Sequence, residues 1–278
     1  MKFRYLGTAA AEGIPALFCC CDICRRSRSA GGPNIRTRSQ ALIDNRLLID
    51  FPPDTYMHVL RHNIDLLDVK HCLLTHTHSD HFLASDIGMR RIGFAYFENN
   101  EPFPLTIHAS VKACENVVNV IGEEVLKKSN VVLNPIEAFK PFKVENYTVT
   151  AFTSNHDPNA GPVFFAINDG RSTMLYGNDT GYFPEESWEY MARSGLRFDF
   201  VSLDCTCAIA GCRDGHMGME VGQEVRERMI EIGVADDTKT RWCYHHFSHN
   251  GKGTHDDLVA VAGPRGWLVS YDGMELDV

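Results

Sequence analysis

The run His76-Thr77-His78-Ser79-Asp80-His81 sets three imidazoles and a carboxylate within six residues, directly after the apolar Cys72-Leu73-Leu74. Both side-chain types donate lone pairs to divalent cations, and crowding them at the edge of a core is costly unless something positive holds them. If Leu73 and Leu74 close a buried strand, the loop behind them aims His76 and His78 one way while Asp80 and His81 turn the other. Two groups of ligands imply two cations. The competing reading is a polar loop that happens to be rich in histidine, in a chain with 13 His among 278 residues. Four candidate ligands in so short a run argue against it.

A second constellation, Cys19-Cys20-Cys21-Asp22-Ile23-Cys24, contains Cys-x-Cys-x-x-Cys. That spacing lets Cys19, Cys21 and Cys24 surround one soft cation, which then requires a fourth ligand. The alternatives are a trio of small buried hydrophobes or a disulfide, and the adjacency of Cys19, Cys20 and Cys21 makes a disulfide framework awkward.

Groups this far apart need rigid elements to bring them together. Two hairpins are predicted, Ala41-Leu42-Ile43 with Leu47-Leu48-Ile49 around Asp44-Asn45-Arg46, and Val163–Ile167 with Thr173–Tyr176 around Asn168-Asp169-Gly170. Helices are expected after Pro53, across Ala84–Ala95, through Val111–Lys127 and across Met219–Ile232, the last with Val221, Val225, Met229 and Ile232 as an ordinary core stripe. Hairpins mixed with surface helices fit an α/β fold of two sheets enclosed by helices. The length suits one domain, 1–278, burying roughly three quarters of its unfolded surface. The apolar stretches fall short of the roughly 20 residues of a membrane span. Met1-Lys2-Phe3-Arg4-Tyr5-Leu6 reads as a strand start rather than a signal peptide, so a soluble cytoplasmic protein is expected, with most of its ten cysteines reduced. Cys72, Cys114 and Cys243 sit among apolar neighbours as core residues. Cys205, Cys207 and Cys212 form a looser set, read as packing ahead of a further metal site.

The His-x-His-x-Asp-His run resembles the signature of the metallo-β-lactamase superfamily, whose members are mostly hydrolases with a two-metal centre in an αββα sandwich, two mixed sheets face to face with helices outside. The resemblance implies further ligands at strand ends: His156 after Thr148–Asn155, Asp179 after Thr173–Tyr176 and His246 after Arg241–Tyr244. It implies that His76, His78 and His156 hold one metal, that Asp80, His81 and His246 hold the other, and that Asp179 bridges them. Asp50, closing Leu47-Leu48-Ile49, matches the family's supporting aspartate. His249, three residues beyond His246, is the fourth ligand expected to close a zinc knuckle at about 19–24.

With Leu6-Gly7-Thr8-Ala9-Ala10 ahead of the cysteines and His246-Phe247-Ser248-His249 at the far end, the chain resembles one branch most, the cyclic phosphodiesterases of the carbon–phosphorus lyase pathway. Such an enzyme opens a ribosyl 1,2-cyclic phosphate, a phosphoribosyl cyclic phosphate or one like it, with a hydroxide held between two Mn, Zn or Fe ions, and its relatives carry one structural Zn. His216, in Gly215-His216-Met217, resembles a family Gly-His-Met element that follows Leu-Asp-Cys-Thr and is expected to donate a proton to the leaving group. Asp204 is expected to orient that loop, and Asp80 is counted with the catalytic set as well as the ligands. The expected partner is a small anionic phosphodiester, and a homodimer is compatible with the sequence. The balance of 27 basic against 36 acidic residues, net −9, argues against broad nucleic-acid binding. Two dications facing Asp80 and Asp179 would still make the pocket attract anions, with a first shell of about plus two. Arg25, Arg26 and Arg28 read as a solvated face. Other members of the superfamily suggest alternatives: thioesterases, lactonases, transfer-RNA nucleases, which call for a basic arm not found here, and non-catalytic proteins of pyrroloquinoline quinone synthesis, which tend to lose catalytic histidines.

Overall fold

Short runs of branched and aromatic residues separated by turn-forming Gly, Asn and Asp build two sheets of seven strands each among the described residues. The computed structural model describes residues 1–98 and 101–278. The chain lays down β1 (Lys2–Gly7), β2 (Gln40–Ile43), β3 (Leu47–Ile49), β4 (His71–Leu73), β5 (Leu105–Ser110) and β6 (Val131–Ile136) in one sheet. It then crosses to the second sheet with β7 (Phe142–Val144), β8 (Tyr147–Thr153), β9 (Val163–Asn168), β10 (Thr173–Gly177), β11 (Phe200–Asp204), β12 (Arg241–His245) and β13 (Trp267–Val269). Finally β14 (Glu275–Asp277) returns to pair antiparallel with β1. Both sheets are mixed, with β3 to β6 parallel in the first and β10 to β13 parallel in the second.

Three apolar layers hold this αββα sandwich together, as expected. Between the sheets lie Phe3, Tyr5, Tyr147, Phe165, Tyr176 and Phe200, all buried. Outside the first sheet, α2 (Thr55–His62), α3 (Ala84–Ile87), α4 (Val111–Ile121) and α5 (Glu123–Lys128) accompany Leu48, Cys72, Ile107, Val117 and Leu126. Outside the second, α6 (Glu185–Ser194), α7 (Met219–Glu231) and α8 (His255–Ala262) cover Trp188, Trp242 and Trp267, with Val221, Val225 and Met229 of α7 buried. The nine-residue helix α1 (Asp22–Ala30) opens at Cys21, whose sulfur accepts from Cys24 N.

Two predicted helices are shorter than their sequence pattern. The stretch Ala84–Ala95 is helical only to Ile87, because the turn closes at Gly88 and the chain passes through a left-handed Gly93 at φ 101°. Val111–Lys127 breaks at Gly122, φ 82°, into α4 and α5. Both hairpins form as predicted, with Asp44 and Asn45 at positive φ in the first and Gly170 in the second.

Gly7 closes β1 where the β1–β2 register shifts, and a Cβ there would overlap the Arg38 carbonyl oxygen. Gly7→Ala is therefore expected to destabilise the fold by about 1–3 kcal/mol, read as a lower denaturant midpoint at unchanged slope. An unchanged midpoint would show that the backbone gives way freely.

Candidate metal centre

In the second sheet β8, β10, β11 and β12 run in the same direction, so their carboxyl ends share one rim. His156, Asp179, Asp204 and His246 follow or end these strands, and in the first sheet the loop after β4 brings His76 to His81 opposite them. Asp50, Asp179 and His246 adopt left-handed backbone, φ 65°, 49° and 62°, which turns each side chain out of its strand's alternation. Such conformations are uncommon for residues with a Cβ and mark places where the surrounding fold holds the chain.

The structure brings these donors together in adjoining groups. His76 Nε2 lies 3.1 Å from His78 Nδ1, which is 3.2 Å from His156 Nε2. Beside this triad, His81 Nε2 is 3.3 Å from both His246 Nε2 and Asp80 Oδ2. Asp179 Oδ2 stands between the two groups, 2.5 Å from His81 Nε2, 3.0 Å from His246 Nε2 and 4.0 Å from His76 Nε2. Ligand nitrogens about 2.05 Å from a tetrahedral cation lie about 3.3 Å apart, so the nitrogen–nitrogen separations of 3.1, 3.2 and 3.3 Å are compatible with shared coordination.

The outward ring nitrogens show that hydrogen bonding among the imidazoles is not what joins them. His81 Nδ1 meets Asp50 Oδ2 at 2.7 Å, and His156 Nδ1 meets the Gly215 carbonyl at 3.0 Å. His76 Nδ1 faces Thr75 Oγ1 at 3.0 Å, a hydroxyl that itself donates to Asp50, and His246 Nδ1 faces Thr206 Oγ1 at 2.8 Å. His78 Nε2 faces Asp157 Oδ2 at 3.3 Å. If each outer nitrogen carries the proton that such a partner accepts, every inner nitrogen presents a lone pair. Convergent lone pairs and two carboxylates repel one another unless a cation or added protons lie among them. Asp179 Oδ2 is correspondingly buried with no hydrogen-bond partner despite its close nitrogens.

Electrostatics agree. Burial holds His76 well below the usual imidazole range and lowers His156 too, keeping both neutral. For His81, burial pulls the same way but Asp179, Asp50 and Asp80 outweigh it and raise the imidazole well above its ordinary value. Burial likewise opposes the rise of His246, which Asp179 pushes up to about 10. Asp179 resists the upward pull of its own burial and stays well below the carboxylate range because of His246 and His81. Without metal, protons on His81 and His246 neutralise these carboxylates, and a dication would take their place and release them.

Asp204 is fully buried at the end of β11, with its carboxylate close to the donor atoms of Asp179, His216 and His246. Its Oδ1 accepts from the Thr206 and Met217 amides at 3.0 and 2.9 Å, while Oδ2 accepts from the Asp179 amide at 3.1 Å and faces His216 Nδ1 at 3.1 Å. Asp204 is thus the knot that fixes three loops. His216 lines the open cavity of about 380 Å³ with Asp80, Asp179 and His246. Burial would lower its imidazole, but Asp204 outweighs it and raises it.

The cysteine constellation assembles separately. Cys19, Cys21, Cys24 and His249 bring their donor atoms within 4.8 Å of one another, with His249 Nδ1 3.7 Å from Cys19 Sγ and 3.5 Å from Cys21 Sγ. Backbone amides of Cys21, Cys24 and Ala16 point at the three sulfurs in turn. The Cys24 amide in particular lowers the Cys21 thiol to about 6. Cys20 is exposed and takes no part. One expectation needs correcting: Cys207 and Cys212 are joined in a disulfide rather than merely packed, because the loop returns to place their Cα atoms 5.7 Å apart, whereas Cys205 is a core residue.

Thr75, Asp157, Thr206 and Glu12 are the contributors that sequence reading did not assign. Asp157 and Thr75 are direct neighbours of His156 and His76, which was the available signal; Glu12 had none.

Residues 45–247 match the model of a family described as the beta-lactamase superfamily domain. The chain is 26% identical to coenzyme PQQ synthesis protein B of Methylorubrum extorquens strain PA1 over 100% of both sequences. In solved structures it resembles a diphosphatase of the PhnP family, with a TM-score of 0.73 and 18% identity over 99% of this chain and 97% of the other. It also resembles Zn(2+)-bound PqqB from Methylobacterium extorquens, with a TM-score of 0.72 and 22% identity over 100% of both. Identities this low carry the fold and leave the chemistry to the residues. Among the described residues no helix is long and apolar enough to cross a membrane.

Proposed function

The chain belongs to the beta-lactamase superfamily domain family, and from that premise we propose that it is a dinuclear metal-dependent phosphodiesterase acting on a small cyclic phosphate of the ribosyl kind. The observation that carries this reading is the set of five imidazoles, each with its outer nitrogen occupied and its inner one turned on a shared space with Asp80 and Asp179. Two divalent ions bound there, Mn, Zn or Fe, would supply a water of lowered pKa and neutralise charge on the phosphoryl oxygens. The Cys19, Cys21, Cys24 and His249 group fits a closed structural Zn.

The protein's own groups do the rest. Asp50, Thr75, Asp157, Thr206 and the Gly215 carbonyl lock the imidazole orientations. His216, held by Asp204 at 3.1 Å and open to the cavity, is placed to give a proton to the departing sugar oxygen, a poor leaving group as an alkoxide. The likeness to PQQ synthesis protein B supports a second reading, a metal-bearing accessory protein without turnover.

Protein loaded with Mn or Zn is expected to hydrolyse bis(p-nitrophenyl) phosphate and a ribosyl cyclic phosphate. His216→Asn should slow the ribosyl substrate by about 10²–10⁴ and the nitrophenyl ester far less, since nitrophenolate leaves without a proton. Metal-loaded protein inert towards every phosphodiester tried would favour the accessory reading, and turnover of thioesters or lactones alone would move the assignment to acyl substrates.

A further inference from the structure

The part of the cavity lining that offers no donor to the metal centre includes Ala10, Ala11, Glu12, Ala210, Ser248 and Asn250. One charge stands among them. Glu12 Oε1 accepts from Ser248 Oγ at 2.5 Å and Asn250 Nδ2 at 3.2 Å, and lies 3.5 Å from His249 Nε2. Among the described residues Oε2 has no hydrogen-bond partner, and the side chain is 31% exposed. Among the described residues no Lys or Arg lines the cavity. Three arginines of neighbouring segments are paired elsewhere, Arg26 with Asp257, Arg38 with Asp54 and Arg213 with Glu224.

A cavity meant to receive two phosphates needs fixed cations for the second, because the metal centre can neutralise only the one that reacts. Here the lining beyond the metal donors carries a carboxylate, which repels a second anion and accepts hydrogen bonds from hydroxyls or an ammonium. We infer that Glu12 is a specificity-determining residue, admitting phosphodiesters whose non-reacting end carries hydroxyl or amino groups and turning away those with another phosphate there. This rests on the phosphodiesterase reading and narrows it: of the ribosyl cyclic phosphates, the preferred one has a free 5-hydroxyl.

The test is a matched pair, ribose 1,2-cyclic phosphate and its 5-phosphate, with metal-loaded wild type and Glu12→Gln. Gln keeps an oxygen for Ser248 and Asn250 but removes the charge. The wild type should favour the 5-hydroxyl compound by about tenfold in kcat/KM, and the variant should erase most of that preference through KM. Raising the salt should shrink the wild-type preference, because the rim is within reach of solvent ions. A merely structural Glu12 would instead shift both substrates alike. Equal wild-type turnover of the pair, or a ratio unmoved by Glu12→Gln, overturns the inference and leaves the function standing. If neither is turned over, the function reading falls; calorimetric binding of the ring-opened monophosphate and bisphosphate then still decides the charge selection, and equal affinities would overturn it.

Discussion

Asp179→Ala is expected to abolish phosphodiester hydrolysis and to leave the centre unable to hold two metals at once. Among the described residues Asp179 is the one carboxylate that adjoins both donor groups, with Oδ2 2.5 Å from His81 Nε2 and 4.0 Å from His76 Nε2. On the proposed reading, removing it would delete a ligand from each side and a buried negative charge that offsets two dications. Loss of several kcal/mol of charge stabilisation corresponds to at least about 10³-fold in rate. Metal content by mass spectrometry and turnover of bis(p-nitrophenyl) phosphate read the two effects independently. Full activity with two bound metals would show that Asp179 bridges nothing. The fold should survive, because the Asp179 backbone is held through its amide by Asp204 and that bond does not need the side chain.

Cys21→Ser is the second large effect, and it falls on stability. Cys21 lies between Cys19 and Cys24 in the chain, its donor atom is grouped with theirs, and its sulfur is 3.5 Å from His249 Nδ1. The four donors tie the segment ahead of α1 to the loop after β12, which also carries His246. A closed structural zinc can contribute on the order of 10 kcal/mol to folding, so the variant should lose one zinc and melt markedly lower. His246 should then be less well placed, and metal affinity at the hydrolytic centre should fall as well. Retained zinc and an unchanged Tm would mean that the cysteines are simply packed.

The types and spacing of residues determined much of this protein alone. The hexapeptide from His76 to His81 and the cysteine run can be read without a fold, because neighbouring residues supply several donors each. The strand ends at His156, Asp179 and His246 follow from apolar runs that stop there, and both hairpins from their turn residues. Local pattern overshot where single glycines intervened: Gly88, Gly93 and Gly122 cut helices that periodicity extends. What only the tertiary structure decided is which atoms face which. That His78 uses Nδ1 whereas His76, His81, His156 and His246 use Nε2 depends on outer partners such as Asp50, Gly215 and Thr206, distant in sequence from the rings they hold. The Cys207–Cys212 pairing and the arrival of Glu12 beside Ser248 and Asn250 are likewise products of chain return. Donor chemistry is a property of residue type and is therefore written locally, whereas orientation and neighbourhood arise from contacts across two packed sheets.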